Sequence, residues 1–307
     1  MKTPSELSAR IRELCRAKNA LILVHNYELG EVQEIADFCG DSLELSVKAA
    51  ENPADILVFC GVRFMAETAK ILSPQKKVLL PVENAPCEMA DMAGAAELRA
   101  LKAQHPGALA VCYVNTTAAV KAECDLCVTS GNALELVAAL PRDREIIFVP
   151  DRNLGAYCAK KTGRKLILWD GCCPVHQRLT PEMIERRRRE FPGAPLLMHP
   201  EASPECLALA DRALSTGGML REVKTMPDET VIVGTELGIL HRMERENPGK
   251  RLIPLSAQAI CPHMKLIRLE DVLASLEQER YEIEVPEELR RRAERPIRRM
   301  LEKDLNF

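Results

Sequence analysis

Hydrophobic and polar positions form a regular alternation along this chain. Short runs of aliphatic residues, which predict buried strands, are each followed by stretches with the apolar spacing of amphipathic helices. Alternating strands and helices are typical of parallel sheets covered by helices on both faces. In the first third we predict helices over Pro4–Ala17, 31–38, Ser42–Glu51 and Arg63–Leu72, and the same order begins again near residues 97 and 181.

The alternation repeats three times with a nearly constant interval. His25, Tyr113 and His199 each follow an apolar run, and they lie 88 and then 86 residues apart. A further strand is predicted in each copy, at 56–59, 146–149 and 231–233. Agreement at several landmarks indicates one structural unit in three copies. We therefore predict repeats over 1–88, 89–174 and 175–262, followed by tail helices within 263–307 that pack back on the body.

The predicted fold class is α/β. Each repeat would form a small three-layer αβα domain with a parallel sheet, and the three domains would surround a central cleft with pseudo-threefold symmetry. Ligands of open parallel sheets bind at the carboxyl ends of the strands. The residues that follow the strands should therefore meet in that cleft.

Composition narrows the class of partner. The chain has 307 residues, 47% of them hydrophobic, and a formal net charge of −3, which argues against nucleic-acid and anionic-membrane partners. No apolar run approaches the roughly 20 residues that span a bilayer, and the first residues predict an amphipathic helix instead of a signal peptide. We predict a cytoplasmic location, where twelve cysteines are not expected to form structural disulfides.

Three of those cysteines share the interval of the repeat. Cys87, Cys173 and Cys261 each follow an apolar run and lie 86 and then 88 residues apart. Three thiolates at one point suit an iron–sulfur cluster with one open coordination position, and an open iron acts as a Lewis acid in dehydration or condensation. The alternative is that they are small buried residues. Cys124 and Cys127 form a CxxC motif that could bind metal or form a redox pair, but we favour packing.

Other side chains near the predicted strand ends could bind substrate or carry protons. Ser42, Ser130 and Ser215, with Thr216, are expected to begin helices, where a hydroxyl either caps the helix or helps to bind an anion. Histidine, tyrosine and glutamate are the candidate proton carriers, and they include Tyr27, His176 and Glu201.

Ordered motifs along nearly the whole chain resemble those of the quinolinate synthase family. They include His25-Asn26-Tyr27, Tyr113-Val114-Asn115, Cys173-Pro174-Val175-His176-Gln177, His199-Pro200-Glu201 and Ser215-Thr216-Gly217. The resemblance implies three pseudo-symmetric α/β domains around a 4Fe–4S cluster held by three cysteines. It implies a transferase that condenses iminoaspartate with dihydroxyacetone phosphate to quinolinate, phosphate and water, with a functional link to an aspartate oxidase or dehydrogenase.

The motifs also imply residue roles. Cys87, Cys173 and Cys261 would hold the cluster, and Tyr27, Glu201 and His199 would be catalytic. The substrate-binding residues would be His25, Ser42, Tyr113, Asn115, Ser130, His176, His199, Glu201, Ser215 and Thr216. Some family members have a CxxCxxC at the third ligand, where this chain continues Pro262-His263-Met264, so a redox role of that motif is absent here.

Two other classes of protein fit part of the pattern. An iron–sulfur hydro-lyase acting on a hydroxy acid would need no phosphate site and no second substrate. A non-catalytic metal-binding protein would close the cluster with a fourth ligand, such as Cys124, Cys127 or Cys172.

Overall fold

A computed structural model describes residues 3–305 and 307, which contain three four-stranded parallel sheets of one topology. The first sheet contains β1 (Ala20–His25), β2 (Phe38–Gly40), β3 (Ile56–Cys60) and β4 (Lys77–Leu79). The second contains β5 (Leu109–Tyr113), β6 (Leu126–Val128), β7 (Ile146–Val149) and β8 (Ile167–Leu168). The third contains β9 (Leu196–Met198), β10 (Arg212–Ala213), β11 (Thr230–Gly234) and β12 (Arg251–Pro254).

The strand order is the same in each sheet: β2-β1-β3-β4, β6-β5-β7-β8 and β10-β9-β11-β12. All neighbouring strands are parallel, with registers such as Leu23↔Phe59 and Val111↔Phe148. Every residue of β3, β5 and β7 is buried, as expected for strands covered on both faces. The predicted α/β class with three related parallel sheets is confirmed.

Helices connect the strands and cover the sheets. In the first two thirds they are α1 (Pro4–Ala17), α2 (Gly30–Glu34), α3 (Ser42–Glu51), α4 (Arg63–Leu72), α5 (Glu88–Asp91), α6 (Ala95–Gln104), α7 (Ala118–Lys121), α8 (Ala133–Ala139), α9 (Arg152–Thr162) and α10 (Pro174–Gln177). In the last third they are α11 (Pro181–Glu190), α12 (Pro204–Leu209), α13 (Thr216–Thr225), α14 (Ile239–Glu246), a 3₁₀ helix (Pro262–Lys265), α15 (Leu269–Gln278) and α16 (Glu287–Glu302).

One local prediction was wrong. The helix predicted over 31–38 ends at Glu34, and Phe38–Gly40 forms β2 beside β1. The reason is an aspartate that precedes this edge strand: the Asp37 carboxylate accepts the backbone N–H of Ile22 at 2.8 Å, while its own N–H donates to the Ile22 carbonyl. Both bonds stabilise an extended chain beside β1 in place of another helical turn.

The same aspartate contact recurs in the other two repeats. Asp125 accepts the N–H of Ala110 at 2.8 Å, and Asp211 accepts the N–H of Leu196 at 2.7 Å. Each therefore joins the first strand of its repeat to the short edge strand that follows the aspartate. The repeat seen in the sequence thus has a physical basis in each sheet.

The tail contacts the first two repeats. α15 packs against α1, and α16 packs against α4, α7 and β6. Between these helices, Glu282 forms an antiparallel bridge with Leu79 at the end of β4. Within the described part of the chain, no helix is both long and apolar enough to cross a membrane.

Candidate active site

One cavity lies where the carboxyl ends of the three sheets converge. His25 ends β1, Tyr113 ends β5, and His199 directly follows β9. All three line this cavity. The parallel topology therefore brings together residues that lie almost 90 positions apart in the sequence.

The three repeat-related cysteines line the same cavity, each at the N-terminus of a short helix. Cys87, Cys173 and Cys261 precede α5, α10 and the 3₁₀ helix, respectively. Each sulfur accepts a hydrogen bond from a backbone N–H three residues further on, which favours the thiolate. Burial has the larger, opposite effect and raises the pKa of all three, that of Cys87 to about 12. Thiols are soft donors, and these three would ionise only beside a positive charge. Both properties fit a metal centre.

A compact group of three possible ligands surrounds one of these cysteines. Ligand atoms of Cys173, His176 and Glu201 lie within 4.8 Å of one another, and among the described residues no other trio of His, Cys, Asp or Glu does so. A single ion with bonds of about 2.3 Å to sulfur would draw three thiolates into such a group. Among the described residues, the three cavity cysteines do not form such a group with one another.

Two buried histidines present N–H donors to the cavity. In His25 the Nδ1 atom accepts the backbone N–H of Tyr27 at 3.2 Å, and in His199 it accepts that of Glu201 at 3.4 Å. Nε2 therefore carries the proton in each neutral ring. Burial lowers the pKa of His25 to about 3 and that of His199 to about 4, so both rings are neutral at pH 7. His199 Nε2 lies 3.2 Å from Ser130 Oγ, and the serine hydroxyl also hydrogen-bonds the Tyr113 hydroxyl.

Glu201 is a buried carboxylate at the centre of the polar contacts. Tyr113 Oη donates to its Oε1 at 2.6 Å, and His176 Nδ1 lies 2.8 Å from its Oε2. Burial by itself would raise the pKa of Glu201, but His199, His176 and the Tyr113 hydroxyl together hold it below its ordinary range. Glu201 is therefore ionised and is positioned to accept protons.

The predicted serine and threonine residues occupy different positions relative to the helix N-termini. Ser42 is the first residue of α3, whose cap is Asp41, and Thr216 is the first residue of α13; both line the cavity. Ser130 also lines it, two residues before the Asn132 cap of α8. Ser215 does not line the cavity, because its hydroxyl caps α13 and donates to Asp41 Oδ2 at 3.2 Å.

The remaining predicted site residues, Tyr27, Asn115 and His176, also line the cavity. Asn115 Oδ1 is buried and has no hydrogen-bond partner among the residues that the structure describes. A buried carbonyl oxygen without a donor is costly, so a ligand that offers one would be favoured here. Cys124 and Cys127 lie away from the cavity in the core of the second repeat.

Sequence reasoning missed two residues at the cavity: Glu236, which lines it, and Thr235, which lies behind it. Glu236 is buried, accepts the backbone N–H groups of Cys261 and Gly238, and pairs with Lys265 at 2.9 Å. It therefore holds the loop that presents Cys261. The motif containing both residues, 234–238, was interpreted as a turn because of its glycines, and the acidic residue between them was the available signal.

Fold and site together define a class: an α/β protein with three related parallel sheets, whose histidine, tyrosine, glutamate and cysteine side chains converge on one central pocket. Residues 9–302 match the family model described as "Quinolinate synthetase A protein". The chain belongs to this family, and this membership identifies it as an enzyme.

Curated relatives agree over almost the full length. The "Quinolinate synthase" of Dehalococcoides mccartyi (strain ATCC BAA-2266 / KCTC 15142 / 195) is 52% identical over 295 residues, which are 96% of this chain and 97% of the relative. That of Methanoregula boonei is also 52% identical with the same coverage. That of Geotalea uraniireducens is 50% identical over 296 residues, again 96% and 97% of the two chains.

Proposed function

We propose that this chain is a quinolinate synthase, a transferase that condenses iminoaspartate with dihydroxyacetone phosphate to quinolinate, phosphate and water. Family membership over residues 9–302 supports the activity. The observation that carries it structurally is the central cavity, where three repeat-related cysteines lie beside neutral histidines, hydroxyls and an ionised glutamate. Such a set of donors suits a substrate pair with two carboxylates and one phosphate.

The proposed cofactor is a 4Fe–4S cluster held by Cys87, Cys173 and Cys261. Their soft donor chemistry and their common cavity support this choice. When bound, the cluster supplies a Lewis acid that assists the loss of water. Glu236 supports the site by fixing the loop of Cys261.

Anion binding is assigned to the neutral donors of the cavity. His25 Nε2–H and the Ser42 and Thr216 hydroxyls at the starts of α3 and α13 can donate to carboxylate or phosphate oxygens, and Ser130 would contact the substrate beside His199. Because the histidines are neutral, they bind anions through hydrogen bonds and not through charge. Asn115 Oδ1 accepts from an N–H or O–H of the substrate.

Proton transfer is assigned to Tyr27, His199 and Glu201. Glu201 is ionised and can accept a proton, and its hydrogen bond from Tyr113 fixes one of its oxygens. Tyr27 remains a phenol at pH 7, because burial raises its pKa well above the ordinary value. Burial of these groups excludes water from the reacting atoms.

This proposal also includes three predictions made from the sequence. They are the repeat boundaries at 88, 174 and 262, the cytoplasmic location, and the supply of iminoaspartate by an aspartate oxidase or dehydrogenase. The first two boundaries fall between sheets, after strands that end at Leu79 and Leu168, and the third follows the last strand, which ends at Pro254.

Product analysis tests the function. Anaerobically purified protein is incubated with iminoaspartate and dihydroxyacetone phosphate, and quinolinate and phosphate are measured by chromatography. We expect both products in equal amounts and neither when one substrate is omitted. Dehydration of a hydroxy acid without quinolinate formation would instead identify a hydro-lyase.

A further inference from the structure

Two of the turns that present side chains to the cavity are each held by one buried side chain. In the first repeat, Gln33 Nε2 donates to the carbonyl oxygens of Asn26 at 3.2 Å and Glu28 at 2.9 Å. These carbonyls lie on either side of Tyr27, which lines the cavity. The same amide reaches the Gly238 carbonyl at 2.8 Å, so its two protons serve three acceptors. Gln33 therefore fixes the peptide groups on both sides of Tyr27.

The second repeat has the same arrangement with a lysine as the donor. Lys121 Nζ donates to the carbonyl oxygens of Val114, at 2.7 Å, and of Thr116. These carbonyls flank Asn115, whose buried Oδ1 has no hydrogen-bond partner among the residues that the structure describes. Because Lys121 is fully buried, water does not compete for its protons. The lysine thus fixes the turn from which the unpaired amide oxygen lines the cavity.

Both donors occupy the same position in their repeats. Gln33 comes eight residues after His25 at the end of β1, and Lys121 comes eight residues after Tyr113 at the end of β5. In both repeats the accepting carbonyls belong to the first and third residues after the strand, and the second residue lines the cavity. An amide and an ammonium group therefore make one contact in two copies of the fold.

The third repeat holds its turn in a different way. Leu207 occupies the position of the two donors, eight residues after His199, and its side chain cannot donate a hydrogen bond. Instead, Asn153 Nδ2 from the second repeat donates to the carbonyl oxygen of Glu201 at 2.9 Å. Each of the three turns is thus bound by a side-chain nitrogen, but only the first two use the repeated position.

We propose that Gln33 and Lys121 are equivalent positioning residues, which hold Tyr27 and Asn115 toward the substrate by binding the backbone on both sides of each. The inference rests on the proposed function. The two residues share N–H groups but not charge, so the role requires hydrogen-bond donors and no positive charge. A turn without its donor would leave two buried carbonyls unpaired and would relax toward other partners.

Substitutions at Lys121 separate its N–H donors from its charge and volume. Lys121→Gln keeps N–H donors and uses the side chain that the first repeat has at this position, whereas Lys121→Met keeps the length and removes the donors. Lys250→Met is the matched control, because Lys250 Nζ also donates to two carbonyls, those of Met226 at 2.6 Å and Asp228 at 2.8 Å, away from the cavity. Measurements are kcat and KM for both substrates, iron content and thermal unfolding of anaerobically purified protein.

We expect Lys121→Met to lower kcat/KM by about ten- to a hundredfold, the size of effect when a contacting group is displaced by about 1 Å. Lys121→Gln should restore most of kcat/KM, and Lys250→Met should match the wild type. Iron content should be the same in all four proteins. Equal loss in folded Lys121→Gln and Lys121→Met, or wild-type kcat/KM in Lys121→Met, would overturn the positioning role.

A second background tests whether Lys121 acts through Asn115. In Asn115→Ala protein, adding Lys121→Met should lower kcat/KM by less than about threefold, because the side chain that the lysine positions is already absent. The same loss in both backgrounds would show a general structural effect and would contradict the inference.

Folding of the variants has its own control. If Lys121→Met does not fold, Lys121→Ala removes the same donors with less crowding and takes its place. If neither folds, the donors are structural and the inference is wrong. Failure of the proposed function has a different signature, because the wild type itself would then form no quinolinate.

Discussion

The chain contains two trios of cysteines in different surroundings. The cavity cysteines are Cys87, Cys173 and Cys261, and the core cysteines are Cys112, Cys124 and Cys127. The cavity cysteines come from three repeats, are half-buried and stand at helix N-termini. The core cysteines are all buried within one repeat, where the sulfurs of Cys112 and Cys127 lie 3.2 Å apart on paired strands.

The difference shows which sequence signal predicts that a cysteine lines the cavity. The core trio includes the CxxC motif, yet its side chains belong to the hydrophobic core and face no cavity. The cavity trio has no local motif, and only its interval along the chain distinguishes it. A position beyond the carboxyl end of a parallel strand, repeated three times, is therefore the stronger indication that a cysteine faces the central cavity of this protein.

The largest expected difference between the two trios is the effect of alanine substitutions on turnover. Alanine at Cys87, Cys173 or Cys261 should reduce quinolinate formation to background, because each removes a proposed ligand. Alanine at Cys124 should leave turnover close to the wild type, since it lies outside the cavity. Anaerobic assays on the four variants check this. A Cys124→Ala protein that is folded and contains iron but is inactive would contradict the claim that only the cavity cysteines are needed for turnover.

The cavity also holds the ionised group with the largest expected catalytic effect. Glu201→Gln keeps the shape of the side chain but cannot accept a proton. We expect kcat to fall by about 10²- to 10⁴-fold, the usual range for loss of a general base. Steady-state kinetics measure it, with the exposed Glu205→Gln in the same repeat as the control. Equal kcat in Glu201→Gln and wild type would remove Glu201 from the chemistry.

Acid should lower the free energy of unfolding because groups in the cavity take up protons on unfolding. The core cysteines should not contribute to this effect. Burial lowers the pKa of His25 from 6.5 to about 3, so between these values the unfolded chain binds a proton that the folded ring does not. The stabilising effect of the neutral ring is complete above pH 6.5 and is lost as the pH falls. His25 alone contributes at most about 1.4 kcal/mol per pH unit to the dependence of the unfolding free energy on pH.

Urea unfolding at several pH values between 7.5 and 4 measures this slope. His25→Asn should flatten it, because asparagine does not titrate. Cys127→Ala is the matched core variant and should leave the slope unchanged. A slope that His25→Asn does not alter would show that other groups account for the acid sensitivity.

The smallest expected difference is in stability at neutral pH. Cys127 is fully buried between neighbouring strands, so Cys127→Ala should lower the unfolding free energy by about 1 to 2 kcal/mol through the space left behind. Cys261→Ala in the metal-free protein should cost less, since Cys261 is only half-buried. Urea unfolding of both variants under the same conditions compares them, and a larger loss for Cys261→Ala would contradict the assignment of Cys127 to packing.

Much of the architecture was predictable because buried parallel strands are apolar throughout. β3, β5 and β7 have no exposed face, and their continuous hydrophobic runs identify them directly. The short edge strands β2 and β10 have three and two residues and depend on pairing with a distant strand. Local sequence therefore gave no signal for them, and β2 was taken as part of a helix.

The site was predictable where the repeat marked it and not where it depended on tertiary contacts. His25, Tyr113 and His199 were found from their common interval. Thr235 was missed because its partners Tyr27 and His176 lie 208 and 59 residues away. Ser215 shares the spacing of the other serines, but spacing does not determine whether a hydroxyl faces a cavity or caps its own helix.

The most direct measurement is the iron and sulfide content of anaerobically purified protein. Wild type should contain about four irons and four sulfides per chain, as a 4Fe–4S cluster requires. Each alanine variant of Cys87, Cys173 and Cys261 should lose them, and the triple variant of Cys124, Cys127 and Cys172 should keep them. Full iron content in the first group, or its loss in the second, would contradict ligation by the three cavity cysteines.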